Sequence, residues 1–190
     1  MSTAHTPVAQ RRRDQIAAAG LAIGGLAGMA GSFVGHEHAR HILWMIDGAG
    51  LVVAAALLAA KYFRQEKDGV AAGFLVFLAG QTLVISGAPA SLQAGNAAVA
   101  SGISLWAVAL VMIASTSTFP RWSRVTGVIA AALFTVSAVH ISLGGSIVAT
   151  SAPLPSAGYP FLVLTMAGWI RTLLGRADRR AIAPVAATSE

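Results

Sequence analysis

The side chains with most capacity for chemistry fall in two places. His36-Glu37-His38-Ala39-Arg40-His41 gathers imidazoles and charges in one short run, and Asp47, Gln81 and His140 each interrupt a long apolar segment. Imidazole is a good ligand for zinc, copper and haem iron. His38 and His41 are three apart, so a helix would place them on one face. The run lacks the His-x-x-x-His spacing of the helical zinc motif. Haem held by two imidazoles needs histidines that face each other, and His41 with His140 is the pair the sequence offers. His36, His38, His41 and His140 are therefore the candidate metal or haem ligands of an outer-face redox protein.

Two further readings use the same residues. An acid and an imidazole inside apolar segments suit a proton relay, which makes Asp47 and His140 a titratable pair for a small proton-coupled transporter. Alternatively, Asp47, Gln81 and His140 hydrogen-bond one another and fix helix register, at an average of about 0.6 kcal/mol for each such bond. These three form the expected intramembrane polar cluster.

Other chemistries find no foothold. The chain has no cysteine, which removes disulfides, thiolate metal sites and cysteine nucleophiles. Ser142, Gly144, Gly145 and Ser146 do not make G-x-S-x-G, and no phosphate-binding glycine pattern is present. Arg171, near the end of an apolar segment, could meet a lipid phosphate or simply snorkel to the interface. No catalytic residue can be named, and the balance leans away from an enzyme.

The elements that position these residues are set by composition. Of 190 residues 56% are apolar and 11% charged, whereas a soluble domain carries about 25% charged residues. A bilayer core about 30 Å thick takes about 20 apolar residues per helix. Six such spans are legible, at about 15–35, 42–62, 70–88, 97–115, 125–145 and 159–175. No segment alternates with period two, so strands are not expected. The fold class is an all-α polytopic bundle over 15–176, flanked by tails 1–14 and 177–190 that are expected to be disordered.

Charge gives the orientation. With both termini inside, Arg40 is the single member of the 13 lysines and arginines left outside, as the positive-inside rule requires. That pattern explains the net charge of +6 without nucleic acid. Trp44 and Tyr159 fall at outer ends and Tyr62, Trp122 and Trp169 near inner ones, as interfacial anchors would. The high alanine content points to a GC-rich bacterial source and an inner-membrane location.

Span 15–35 has a second reading as a signal peptide cut near Gly28-Met29-Ala30. Its apolar run exceeds the roughly 7–15 residues usual there, and a retained helix is expected. Gly20, Gly24 and Gly28 lie four apart, as do Gly31 and Gly35, and put small residues on a face that a neighbouring helix can approach closely. A faint internal similarity, Leu43-Trp44 with Leu105-Trp106, is attributed to chance. The leading functional reading is a small multi-pass protein of unassigned activity that acts by helix–helix association. It contacts the lipid bilayer and leaves room for a homo-oligomer or a membrane-protein partner.

Overall fold

The computed structural model describes the backbone of residues 7–87, 92–144 and 154–182, and the side chains of 8–87, 97–144 and 157–175. The described residues form six helices and no strand. They are α1 (Pro7–Phe33), α2 (Glu37–Phe63), α3 (Asp68–Gly87), α4 (Leu92–Ala114), α5 (Arg121–Ser142) and α6 (Leu154–Ile182). All six contain a segment long and apolar enough to cross a membrane. The expected all-α bundle of six spans is what the chain builds.

Helix boundaries differ from the sequence expectation where polar residues extend a helix. Residues 7–14, assigned to the tail, continue α1 back to Pro7, a residue whose missing N–H is harmless in a first turn. The histidine run, read as a break, becomes the first turns of α2 from Glu37 onward. An acid in that first turn suits the positive end of the helix dipole. The C-terminal helix continues through Ile182, past the expected boundary at 176. The expected loop between α3 and α4 and the proline-containing loop before α6 lie in part outside the described residues, as do both chain ends.

Each helix packs on its neighbours in sequence, and α1 also packs on α6, so the ring closes. Among the described residues the backbones of opposite helices, α2 and α5 or α3 and α6, do not approach each other, and large side chains such as Phe74 and Trp169 bridge α3 to α6. Neighbours run antiparallel: Lys61 near the end of α2 meets Asp14 near the start of α1, and along α5 Ser123 lies against Gly168 of α6 whereas the later Phe134 lies against the earlier Gly158. One end of the bundle therefore collects Arg11, Arg12, Arg13, Lys61, Arg64, Lys67, Arg121, Arg124 and Arg171. The other collects His36, His38, Arg40, His41 and His140. We call these the basic end and the histidine end.

The α1–α2 seam is built on glycine. A Cβ on Gly20 would stand 2.7 Å from the Gly50 carbonyl oxygen, and one on Gly50 would stand 2.9 Å from that of Gly20. Only missing side chains let these backbones approach so closely. Gly24 and Gly31 press on Leu51 and Trp44 of the same helix. The glycine face legible in the sequence is thus occupied by α2 of the same chain, except at Gly35, which meets nothing.

Aromatic rings fill the middle. Tyr62, Phe74, Phe119 and Trp169 cluster toward the basic end, with Phe74 and Trp169 edge to face at 4.9 Å. Phe77 links them to Trp106, Phe134 and Tyr159. Each such pair adds about 0.5–1.5 kcal/mol beyond its buried area. Tyr62 and Trp169, expected as interfacial anchors, are core residues at 0% and 1% exposure. They lie on the buried stripes of α2 and α6, and the stripe decides. Trp122 is exposed.

Candidate functional site

Helical periodicity buries Asp47. On α2 the inward residues are Asp47, Gly48, Leu51, Ala54, Ala55 and Leu58, which is one helix face at spacings of three, four and seven. Gln81 continues the α3 stripe Val70, Phe74 and Phe77. Tyr159 precedes Leu162, Met166, Trp169 and Leu173, the buried stripe of α6. Three stripes thus bring an acid, an amide and a phenol to one level of the bundle.

The carboxyl of Asp47 is 3% exposed. Its Oδ2 accepts from Gln81 Nε2 and from the Tyr159 hydroxyl, both at 3.5 Å. Ordinary bonds of these types measure about 2.7–3.2 Å, so both are long. Both fall on the same oxygen. Asp47 Oδ1 and Gln81 Oε1 have no hydrogen-bond partner among the described residues, and neither does Trp106 Nε1. No lysine or arginine forms an ion pair with Asp47 among those residues; the salt bridge of this seam, Lys61 to Asp14 at 2.8 Å, lies at the basic end.

The fourth wall is Gly28. A Cβ there would come within 2.8 Å of Asp47 Cγ, 2.9 Å of its Oδ1 and 2.9 Å of Tyr159 Cε1. Glycine makes the room the carboxyl occupies. Four helices, α1, α2, α3 and α6, therefore meet at Asp47. Counted along α2, Asp47 lies ten residues from Glu37, about 15 Å of helix, which is deeper than a span starting at residue 42 would place it.

The other expected residues lie elsewhere. His140 is exposed on α5, a helix that does not pack on α2. The buried stripe of α5 runs through Phe134, Ser137, Ala138 and Ile141, and His140 falls beside it. The expected trio is therefore redrawn: Asp47 and Gln81 come together, and Tyr159 stands where His140 was expected. His36, His38 and His41 are exposed. His41 and His140, the expected haem pair, are both exposed and lie on helices that are not neighbours in the ring. His41 and Arg40 instead pack on Trp44, with ring centroids 6.4 Å apart and the guanidinium 5.4 Å from the indole. Among the described residues, no group of three His, Asp or Glu side chains is placed to hold a metal ion.

Polar contacts of another kind join α5 and α6 near the basic end. Ser123 Oγ donates to the Thr165 carbonyl at 3.0 Å, and Thr126 Oγ1 and Thr165 Oγ1 are 2.9 Å apart. Arg124 Nε donates to the Ala114 carbonyl at 2.7 Å, serving an oxygen at the end of α4 that has no partner within its helix.

The described residues define an antiparallel ring of six apolar helices closed around aromatic rings and the buried Asp47. Comparison with family models, curated proteins and solved structures finds no match for this chain. Its function must be read from the site.

Proposed function

We propose that this chain is a small proton-coupled carrier of the bacterial inner membrane, with both termini cytoplasmic and Asp47 as the group that takes up and releases the proton. One observation carries the reading: a carboxyl at the meeting of four helices, 3% exposed, with one oxygen unpartnered among the described residues. Isolated charge in hydrocarbon is expensive, and intramembrane acids mark pathways and sites. A proton on Asp47 removes that cost, and a carboxyl held by two long bonds is loosely enough bound to exchange it. The orientation follows from the segregation of the basic residues to one end.

Helix–helix association with another chain has less support, because the glycine face that suggested it is spent on α2. The same holds for a haem held between His41 and His140, whose helices do not pack together.

The test is labelling with dicyclohexylcarbodiimide, which enters apolar regions and reacts with protonated carboxyls. Detergent-purified protein is expected to carry the label on Asp47 by mass spectrometry, and Asp47→Asn to lose it. Labelling confined to carboxyls other than that of Asp47 would refute the proposal.

A further inference from the structure

We propose that the substrate exchanged for this proton is a primary organic ammonium ion, bound by Asp47 and Gln81 beside Tyr159. The inference rests on the proton-site reading above and names what that site would recognise.

The two unpartnered acceptors at the carboxyl specify the head group of the ligand; Trp106 Nε1–H, also without a partner among the described residues, is a donor, which an ammonium does not serve. Asp47 Oδ1 and Gln81 Oε1 are acceptors with no donor among the described residues, on side chains 3% and 1% exposed. A ligand that satisfies both must bring at least two N–H or O–H donors. The acid adds a preference for positive charge. Protonated primary amines carry three such donors on one charged nitrogen.

The surroundings favour the same class. Tyr159, whose hydroxyl reaches Asp47 Oδ2, has its ring centroid 6.2 Å from Trp106 and 6.4 Å from Phe134, each nearly perpendicular. Trp106 in turn stacks on Phe77 at 5.8 Å. Tyr159 sets an aromatic ring next to the carboxylate, a neighbour that tolerates a cation, and the apolar ring cluster behind it suits an alkyl chain. A small anion would find an acid and an amide oxygen. A neutral sugar would find too few polar groups.

Exchange then follows from the charge balance. The proton leaves the Asp47 carboxyl for water, and the ammonium takes its place by donating N–H to Oδ1 of the carboxylate. One positive charge replaces another. Access requires the rings to part, and α6 carries a weak point at the right place: Pro160 lies directly after Tyr159 within the helix. A proline there removes one backbone hydrogen bond and favours bending. Bending at this point would draw Tyr159 away from Asp47.

The probe is butylammonium, with butanol as its neutral counterpart, added to full-length protein in detergent before carbodiimide labelling. Butylammonium at saturation is expected to slow total modification of Asp47 about tenfold, about one factor of ten in occupancy, and butanol to leave it unchanged. Total modification is counted by mass as the carbodiimide adduct plus the butylamide that an activated carboxyl forms with amine. Gln81→Met is measured against its own labelling rate without amine. Half-protection in this variant should need about tenfold more butylammonium, for one lost charge-assisted bond. Equal protection by butanol, or labelling indifferent to butylammonium, would overturn the inference while leaving the proton site standing. An Asp47 that never labels would overturn both.

Discussion

The two ends of the bundle treat buried polar groups in opposite ways. At the basic end, Asp14 has Lys61 at 2.8 Å, Ser123 and Thr126 have Thr165 at 3.0 and 2.9 Å, and Arg124 has the Ala114 carbonyl at 2.7 Å. Toward the histidine end, Asp47 has two partners at 3.5 Å and one oxygen with none among the described residues. Both acids lie on the α1–α2 seam, so the same helix pair supplies a satisfied carboxylate and an unsatisfied one. Short reciprocal bonds hold helices together. Long one-sided bonds do little for stability and leave a group free to change state. The difference separates polar residues that staple from a polar residue that works.

Breaking the seam itself should have the largest effect. Gly20→Val places side-chain atoms against the Gly50 carbonyl, where backbone cannot yield, and should cost about 2–3 kcal/mol in detergent unfolding. Gly28→Ala meets the Asp47 and Tyr159 side chains, which can rotate. It should cost less, yet abolish carbodiimide labelling of Asp47. A Gly28→Ala protein that folds and labels normally would show that the carboxyl does not need that space.

The charged staple comes next. Lys61→Met leaves Asp14 at 13% exposure without its cation, and should destabilise by about 1–2 kcal/mol, less than a fully buried pair because Asp14 keeps some contact with water. Thr165→Val removes the hydroxyl contact with Thr126 and should lose about 0.6–1.7 kcal/mol, the range for interhelical bonds in membranes. Each is measured by unfolding in mixed micelles.

The smallest effect lies in the turn between α2 and α3. Glu66 adopts φ 55°, and Lys67 N–H donates to the Tyr62 carbonyl at 3.0 Å across it. This is the left-handed position where glycine normally ends a helix. Glu66→Gly should raise stability by about 0.5 kcal/mol, since it touches neither end's polar contacts.

The helix number, the all-α class and the grouping of basic residues were legible because each rests on composition averaged over whole segments. The pairing of Asp47 with Gln81 was legible in part, since both interrupt apolar runs at similar depth. Tyr159 was missed because a tyrosine at a helix end reads as an interfacial anchor. Its register with Leu162, Met166, Trp169 and Leu173 was the signal that could have found it. The same test would have set His140 aside, as it falls next to the Phe134–Ile141 stripe. Which helices meet across the ring is a tertiary fact, and no residue spacing within a single helix encodes it. Gly28 shows this most clearly: its spacing announced a close approach, and only the packed α2 revealed that the approach is to a carboxyl.

The most direct test of the contrast is the unfolding free energy of Asp47→Asn measured beside Thr165→Val in the same micelles. Asparagine keeps the shape and the partners of Asp47 and removes the buried acid. The account predicts that Asp47→Asn is as stable as the native chain or more so, while Thr165→Val is less stable, as expected of a group retained for work rather than for packing. If Asp47→Asn instead loses as much stability as Thr165→Val or more, Asp47 is a staple like the others, and the distinction between the two ends fails.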